Sequence, residues 1–503
     1  MQTRWLTRIS ILCLALPFII FCMGWLRLSI AIPITAIIFW TIWNLFKQSP
    51  ITNYQLPISS QSTFYLLLLT GIWVLLSGVG GYAFQNWDHH WRNAVLHDLI
   101  AYDWPVIYSS PDKGPIKMLV YYVGYFLPAA WIGKLFGWQI ANFALFLWTW
   151  LGVFLVTLHL SLRLKTSTVK ATFLLLFFSG LDALGALLFS SDYPTLFPPI
   201  QHLEIWSGTL QYSSFTTQLF WVFNQAIPAW LCFVLILESD SLLSDRQITP
   251  KIFLWSLCFF FAPLAALGLL PYLILEWFKQ TDWKAPFKNL RLDLLLASGI
   301  IVLISYLYFS SNTAAQERGL QAVALKDFFA FFLLEGGILW LLLAPLKWRD
   351  PRWAVTGLLL AVIPFIQFGS GRDFVMRASI APLFYLMIMT GEAIFQKTTP
   401  RLLLITFYLL LAIGSLTPLY EINRSIYRSF EYYFIPDKSE CGCDVSSSAP
   451  VTHLEQPGVP EDEHPNTLVA DEIRTLKFTD DKLSKNFIAN VRQSLYYRYI
   501  SSH

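Results

Sequence analysis

The chain has 503 residues, of which 55% are hydrophobic and only 13% charged, and its mean hydropathy is +0.52. Soluble domains carry about a quarter of their residues as charges, so this composition excludes a soluble globular protein and implies an all-α polytopic membrane protein. A net charge of +3 without a basic tract gives no support for nucleic acid as a partner, and the lipid bilayer is the partner that composition does imply.

The start, MQTRWLTRISILCLALPFIIFCMGW, places Arg4 and Arg8 ahead of an apolar stretch, as a signal sequence does. A second apolar run follows almost at once and no small-residue cleavage site ends the first, so it predicts an uncleaved span with a cytoplasmic N-terminus. Apolar runs recur near 9–25, 29–46, 64–83, 118–136, 140–162, 171–189, 219–237, 252–277, 293–309, 328–346, 353–369, 378–396 and 401–418. Most approach the ~20 residues needed to cross a bilayer. Two are interrupted: 118–136 by Pro128, and 252–277 by Pro263, Gly268 and Pro271. Read as broken or re-entrant hairpins, they set the expectation at about 11–13 transmembrane helices.

No internal repeat is visible. Residues 1–418 read as the transmembrane domain and 419–503 as a polar tail, with a linker-like stretch SSSAPVTHLEQPGVPEDEHP. The closing segment Asp471–Ile500 predicts a helix or two. Cys13, Cys22, Cys232 and Cys258 lie in apolar runs and pack as small hydrophobes. Cys441 and Cys443 are too close in sequence for an unstrained disulfide and have no partners for zinc.

Lys and Arg counts orient the chain. Arg163, Lys165 and Lys170; Lys279, Lys284, Lys288 and Arg291; Lys347, Arg349 and Arg352; and Lys397 with Arg401 mark cytoplasmic connections. Loops 84–117, 190–218, 310–327, 370–377 and the tail then fall outside. The polar clusters all land on that outer face, as a one-sided active site requires.

The loop 84–117 is the densest of them. It holds Asp88, His89, His90, Arg92, His97, Asp98 and Asp103, then Lys113 just ahead of the next apolar run. Asp88 and Arg92 are four apart, so one reading is an ion pair of ~0.3–0.5 kcal/mol on an amphipathic surface helix whose other side shows Trp87, Trp91, Val95 and Leu99. The other is a carboxylate poised as a general base beside a substrate. Asp88-His89-His90 suggests metal, but adjacent helical residues point ~100° apart and rarely chelate together. No metal ligand and no cofactor is assigned.

The residues Asp88, Arg92, Ala94, then Asp103-Trp104-Pro105, then Lys113 and Pro115 with Tyr121 or Tyr122, closing on Lys134-Leu-Phe-Gly137, resemble the first extracytoplasmic loop of GT-C glycosyltransferases. The nearest patterns are those of lipid A aminoarabinose transferases and protein O-mannosyltransferases. Similarity of motif covers about residues 84–190. His89 stands where the family has Glu, Gly114 replaces a Pro, and two additional spans precede the loop.

The resemblance implies a GT-C-like bundle with interfacial helices in an extracytoplasmic catalytic loop, in a bacterial inner membrane. It implies a polyprenyl-phosphate-linked sugar as donor and an unspecified lipid, glycan or protein acceptor. Asp88 would be the base of an inverting transfer, with Arg92, Asp103 and Lys113 on the same loop around sugar and phosphate. A lysine in this place can equally be an ordinary interfacial residue.

Three further places carry candidates. Arg372 and Arg377 lie outside against the positive-inside bias and can clamp a phosphate, with Asp373 neutralising one of them. Asp182 lies inside an apolar run, where a carboxylate costs ~2.5–3.5 kcal/mol at span centre and is functional by default; pairing with Lys134 or Arg92 is the plain alternative. Asp192, Tyr193, His202, Glu204, Gln211 and Tyr212, followed by Asn224 and Gln225, offer the planar polar groups and aromatics that sugar sites favour, though each is also an ordinary capping or loop residue. A transporter or flippase, or a GT-C scaffold without catalysis, is the alternative to a glycosyltransferase.

Overall fold

Helices follow the apolar runs, and in the runs 118–136 and 252–277 a strand partner and a proline account for where helical geometry is lost. The computed structural model describes residues 3–48, 60–108, 116–190, 195–197, 199, 202–208, 210–242, 247–280, 290–312, 317–369, 371–396, 398–434 and 486–502. Lys113, Pro115, Asp192, Tyr193, Cys441 and Cys443 lie outside these residues.

The first half comprises α1 (Thr3–Trp25), α2 (Leu28–Gln48), α3 (Ser60–Leu76), α4 (Trp87–Ala101), β1 (Ile107–Tyr108), β2 (Lys117–Leu119), α5 (Leu127–Phe136), α6 (Trp138–Arg163), α7 (Thr168–Phe177), α8 (Asp182–Phe189) and α9 (Phe215–Leu242). The hairpin α10 (Ile248–Phe261) and α11 (Pro263–Gln280) follows, then α12 (Leu292–Phe309), β3 (Arg318–Leu320) and α13 (Leu325–Phe332). A π turn at Leu333–Gly337 leads into α14 (Ile338–Lys347), α15 (Pro351–Val362), β4 (Ile366–Phe368) and α16 (Asp373–Ala378). The chain ends with α17 (Ile380–Phe395), α18 (Arg401–Gly414), α19 (Leu416–Phe434), β5 (Ile488–Asn490) and α20 (Leu495–Tyr499).

Among the described residues nine helical segments are long and apolar enough to cross a membrane: Arg4–Trp25, Leu28–Lys47, Trp138–Arg163, Thr168–Phe189, Phe215–Glu238, Leu292–Phe309, Leu325–Lys347, Asp373–Phe395 and Arg401–Glu431. The protein is an integral, polytopic, mostly helical one. The run 118–136 is not a span. Its first residues pair as β2, Val123–Tyr125 is a 3-10 turn, and Pro128 sits in the first turn of α5, where a missing N–H costs nothing. The run 252–277 does break, at Ala262 (φ −150°, ψ 74°), the residue that Pro263 forces out of helical geometry. Lys251 at the start of α10 meets Glu276 near the end of α11 at 2.7 Å, so this hairpin returns to the side it left.

Ion pairs gather the basic connections at one end of the bundle. Glu392 binds Arg163 at 2.8 Å and Lys347 at 2.5 Å, while Glu276 binds Lys251 and Arg352. The buried chain Ser10–His159–Glu238, at 3.0 and 2.7 Å, ties α1, α6 and α9 near the same end. The opposite end carries the loop 84–108, both small sheets and the closing residues of the chain. Helices α9 and α17 run through the centre, and Trp230 of α9 stacks on Phe384 of α17 and on Trp73 of α3.

Two expectations for the tail change. Pro418 lies inside the first turn of α19, so no boundary falls there. Of the closing segment, the described residues 486–500 form the strand β5, a 3-10 turn at Val491–Gln493 and the short α20, and β5 runs antiparallel to β2, with Met118 opposite Ala489. Tyr496 is fully buried and donates to the Trp25 carbonyl at 2.9 Å, while Arg27 Nε donates to the Ser501 carbonyl.

Helix α11 reaches the loop end against α16, where a Cβ on Gly268 would stand 2.0 Å from the Ala378 carbonyl oxygen. Gly268→Ala must therefore push backbone aside and is expected to cost about 1–3 kcal/mol. Thermal unfolding in detergent measures it; an unchanged Tm would show that the two helices do not touch at this point.

Candidate functional site

Helix α4 begins where the Asn86 side chain accepts the Asp88 N–H at 3.1 Å, a standard N-cap. The i,i+4 spacing then brings Arg92 Nη2 to Asp88 Oδ2 at 2.9 Å. An amphipathic surface helix is not what results: His89, Arg92, Asn93 and Asp98 are all buried. The cause lies in α9, which kinks at Val222 (φ −136°, ψ 35°). The kink leaves the Phe220 carbonyl without its helical partner. Asn86 Nδ2 and His89 Nε2 bind it instead, at 2.8 and 3.0 Å. Irregular backbone at such depth persists only when protein satisfies it. Burial first, and the Arg92 charge second, push the pKa of His89 down to about 3, so the ring is neutral and its N–H is committed to that carbonyl.

A second pair of the same design comes from α16, where Arg377 Nη1 binds Asp373 Oδ1. In both pairs the arginine is buried and the aspartate side chain is 28% exposed. Arg92 Nε and Nη1 and Arg377 Nε have no acceptor among the described residues. A buried N–H without an acceptor costs about 1–3 kcal/mol, more when charged, so two guanidiniums hold donors that an anion would satisfy.

Between the pairs stand Tyr121 and Tyr122, carried by the turn after β2, with ring centroids 4.9 Å apart. Both guanidiniums act on the Tyr121 phenol, whose pKa is raised by burial while Arg92 and Arg377 oppose the rise; Asn224 lies near its hydroxyl, with neither amide atom hydrogen-bonded among the described residues. The Gln225 amide beside it is fully buried and neither its oxygen nor its nitrogen has a partner among the described residues. From the far end of the chain, Phe487 slots between Trp91 and Tyr121, at 5.3 and 4.6 Å between ring centroids.

The structure thus brings Asp88, Arg92, Asp373, Arg377, Tyr121 and Asn224 together. Asp103 is exposed and faces Lys134, which bonds the Tyr102 carbonyl at 2.6 Å. Arg372 reaches Gln211 at 3.5 Å, in a different cluster. Asp182 meets Ser179, Thr417 and Glu335 and not the basic residues expected for it. Tyr212 donates to the Leu360 carbonyl and lies beside Glu335.

That second cluster contains residues the sequence reading passed over. Glu335 was legible as the one charge inside the run 328–346. Glu421 and Arg424 lay past the boundary drawn at 418. Glu421 binds His202 Nδ1 at 2.8 Å and Arg424 at 3.4 Å. Glu204 accepts from the Ser214 N–H at 2.9 Å and from Gln211 at 3.0 Å, and burial pushes its pKa up to about 7. Burial opposes charge on His202 as well, but Glu421 and Glu204 outweigh it and hold its pKa above the ordinary value.

In both groups the folded state binds a proton more tightly than the unfolded chain, so stability falls as pH rises. For Glu204 the loss runs from its ordinary value near 4.5 to about 7, and for His202 from 6.5 upward through its raised value. His89, held neutral by burial, acts in the opposite sense up to pH 6.5, so the net decline in Tm is expected above about pH 6.5, where Glu204 and His202 both lose their protons, and Glu204→Gln should make its first part shallower. A Tm that climbs with pH over this window would contradict the burial of Glu204.

Among the described residues no three His, Cys, Asp or Glu side chains group closely enough to hold a metal ion. No protein-family model matches the chain, and comparison with characterised proteins and with solved structures yields no match either.

Proposed function

We propose that the chain is a GT-C-type membrane glycosyltransferase that moves a sugar from a polyprenyl-phosphate donor to a lipid, glycan or protein acceptor. The observation that carries this reading is the partly exposed Asp88 carboxylate beside the buried Arg92 guanidinium, with the buried Arg377 guanidinium acting on the same Tyr121 and both arginines holding unsatisfied donors. Asp88 takes the proton of the acceptor hydroxyl. The hydroxyl oxygen attacks the anomeric carbon from the face opposite the phosphate, and the sugar–phosphate C–O bond breaks with inversion. The departing phosphate gains negative charge, and Arg92 and Arg377 offer bidentate donors to it. Lys113 belongs to the same loop and is proposed as a further phosphate partner.

A small apolar cavity among the described residues is lined by Cys13, Leu14, Tyr125, Gly152, Pro228 and Phe261, among others, and is too small to hold a lipid tail without movement of its walls. By the positive-inside rule the basic end is cytoplasmic, which puts the site and the tail on the extracytoplasmic face of a bacterial inner membrane. Purified protein given a labelled polyprenyl-phosphate sugar and acceptor should release polyprenyl phosphate. The pair Asp182 and Glu335 in interrupted spans favours a transporter or flippase as the second reading. Net flux into proteoliposomes without transfer would establish that one, and binding without transfer or flux a non-catalytic GT-C scaffold.

A further inference from the structure

Three membrane segments meet at one place, and two of them lose regular helix there. The α7–α8 span is interrupted at 178–181, α13–α14 passes through its π turn, and α18–α19 passes them at Ser415, a turn that keeps helical backbone angles. The three interlock: the Leu181 N–H donates to the Leu334 carbonyl at 2.9 Å, and a Cβ on Gly414 would lie 2.9 Å from the Ser179 carbonyl oxygen and 3.0 Å from that of Gly180. Irregular turns inside membrane helices recur where ions or substrates bind, because they free backbone carbonyls in a place with no water.

Two acids occupy this crossing, Asp182 at 1% and Glu335 at 2% exposure. Asp182 Oδ2 accepts from the Ser179 and Thr417 hydroxyls at 2.9 and 3.1 Å, and Glu335 Oε1 accepts from Trp206 Nε1 at 2.8 Å. The other oxygens, Asp182 Oδ1 and Glu335 Oε2, are buried with no hydrogen-bond partner among the described residues, and the two carboxyl groups lie close enough to act on each other. Two bare carboxylates side by side away from water repel strongly, and such pairs persist only with a proton or cation between them. The titratable groups packed nearby are Glu204, which adds negative charge, Tyr212, and His202, whose charge is matched by Glu421. Among the described residues no third His, Cys, Asp or Glu ligand completes a divalent-metal site.

We propose that Asp182 Oδ1 and Glu335 Oε2 bind one monovalent cation at the junction of these three segments. It is either a proton shared by the two oxygens or an alkali ion that also draws on the freed carbonyls. The site is separate from Asp88 and does not depend on sugar transfer.

The test uses the full chain in detergent with choline as the sole added cation. A carboxylic-acid carbonyl band in the infrared spectrum that disappears in Glu335→Gln but survives in Glu204→Gln assigns the shared proton. A Tm rise of several degrees on adding sodium or potassium chloride, above that of choline chloride at equal ionic strength and absent from Glu335→Gln, assigns the alkali ion. If folded wild-type protein shows neither result, the proposal is overturned. Should Glu335→Gln not fold, Asp182→Asn replaces it in both comparisons.

Discussion

Asp88→Asn is expected to slow release of polyprenyl phosphate by about 10²–10⁴-fold, the range over which a positioned general base acts. Asn keeps the size of the side chain and an oxygen for Arg92, so the 2.9 Å contact and the cap at Asn86 can persist while the basic lone pair is lost. The second pair supplies the control. Asp373 has the same exposure and the same i,i+4 arginine, so Asp373→Asn perturbs the electrostatics to a similar extent. A rate that drops with Asp373→Asn and holds with Asp88→Asn would move the base to α16. Equal small losses in both variants would leave the carboxylates as holders of their arginines and nothing more.

Glu276→Ala carries the largest expected cost in stability. Its carboxylate binds Lys251 Nζ at 2.7 Å through one oxygen and Arg352 through the other, at 3.0 Å from Nε and 2.6 Å from Nη2. Lys251 is fully buried. Removing the carboxylate takes the ion-pair partner from a buried ammonium, and loss of one member of a buried pair costs about 3–5 kcal/mol. Unfolding in detergent should show a drop in Tm well beyond that of Gly268→Ala. Near-wild-type stability would mean that water reaches Lys251 once the partner is gone.

Much of this was legible before any coordinates. Charge content and apolar runs give the membrane class, Pro263 marks the break between α10 and α11, and four-residue spacing announces both Asp–Arg pairs. What stayed hidden has physical reasons. Strands of three residues such as Lys117–Leu119 and Ile488–Asn490 are too short to show alternation, and their pairing spans most of the chain. The burial of α4 depends on a carbonyl freed by a kink in a different helix, which no local pattern around His89 reports. Asp182 was conspicuous as an intramembrane acid, but its partner is another acid across an interrupted helix, whereas spacing rules look for a base.

The pairing of β5 with β2 bears on how the chain threads its bilayer. Helix α1 starts at the end where His159 and Glu238 lie, while Phe487, Tyr496 and Ser501 are held at the other. Residues at the start and close of the described chain therefore stand at opposite ends of the helical bundle, and the expected result in a bilayer is an odd number of passages between them. A reporter fused after Ser502 and one placed before α1 would be sorted into different compartments, and a protease added on one side of sealed vesicles would remove one and spare the other.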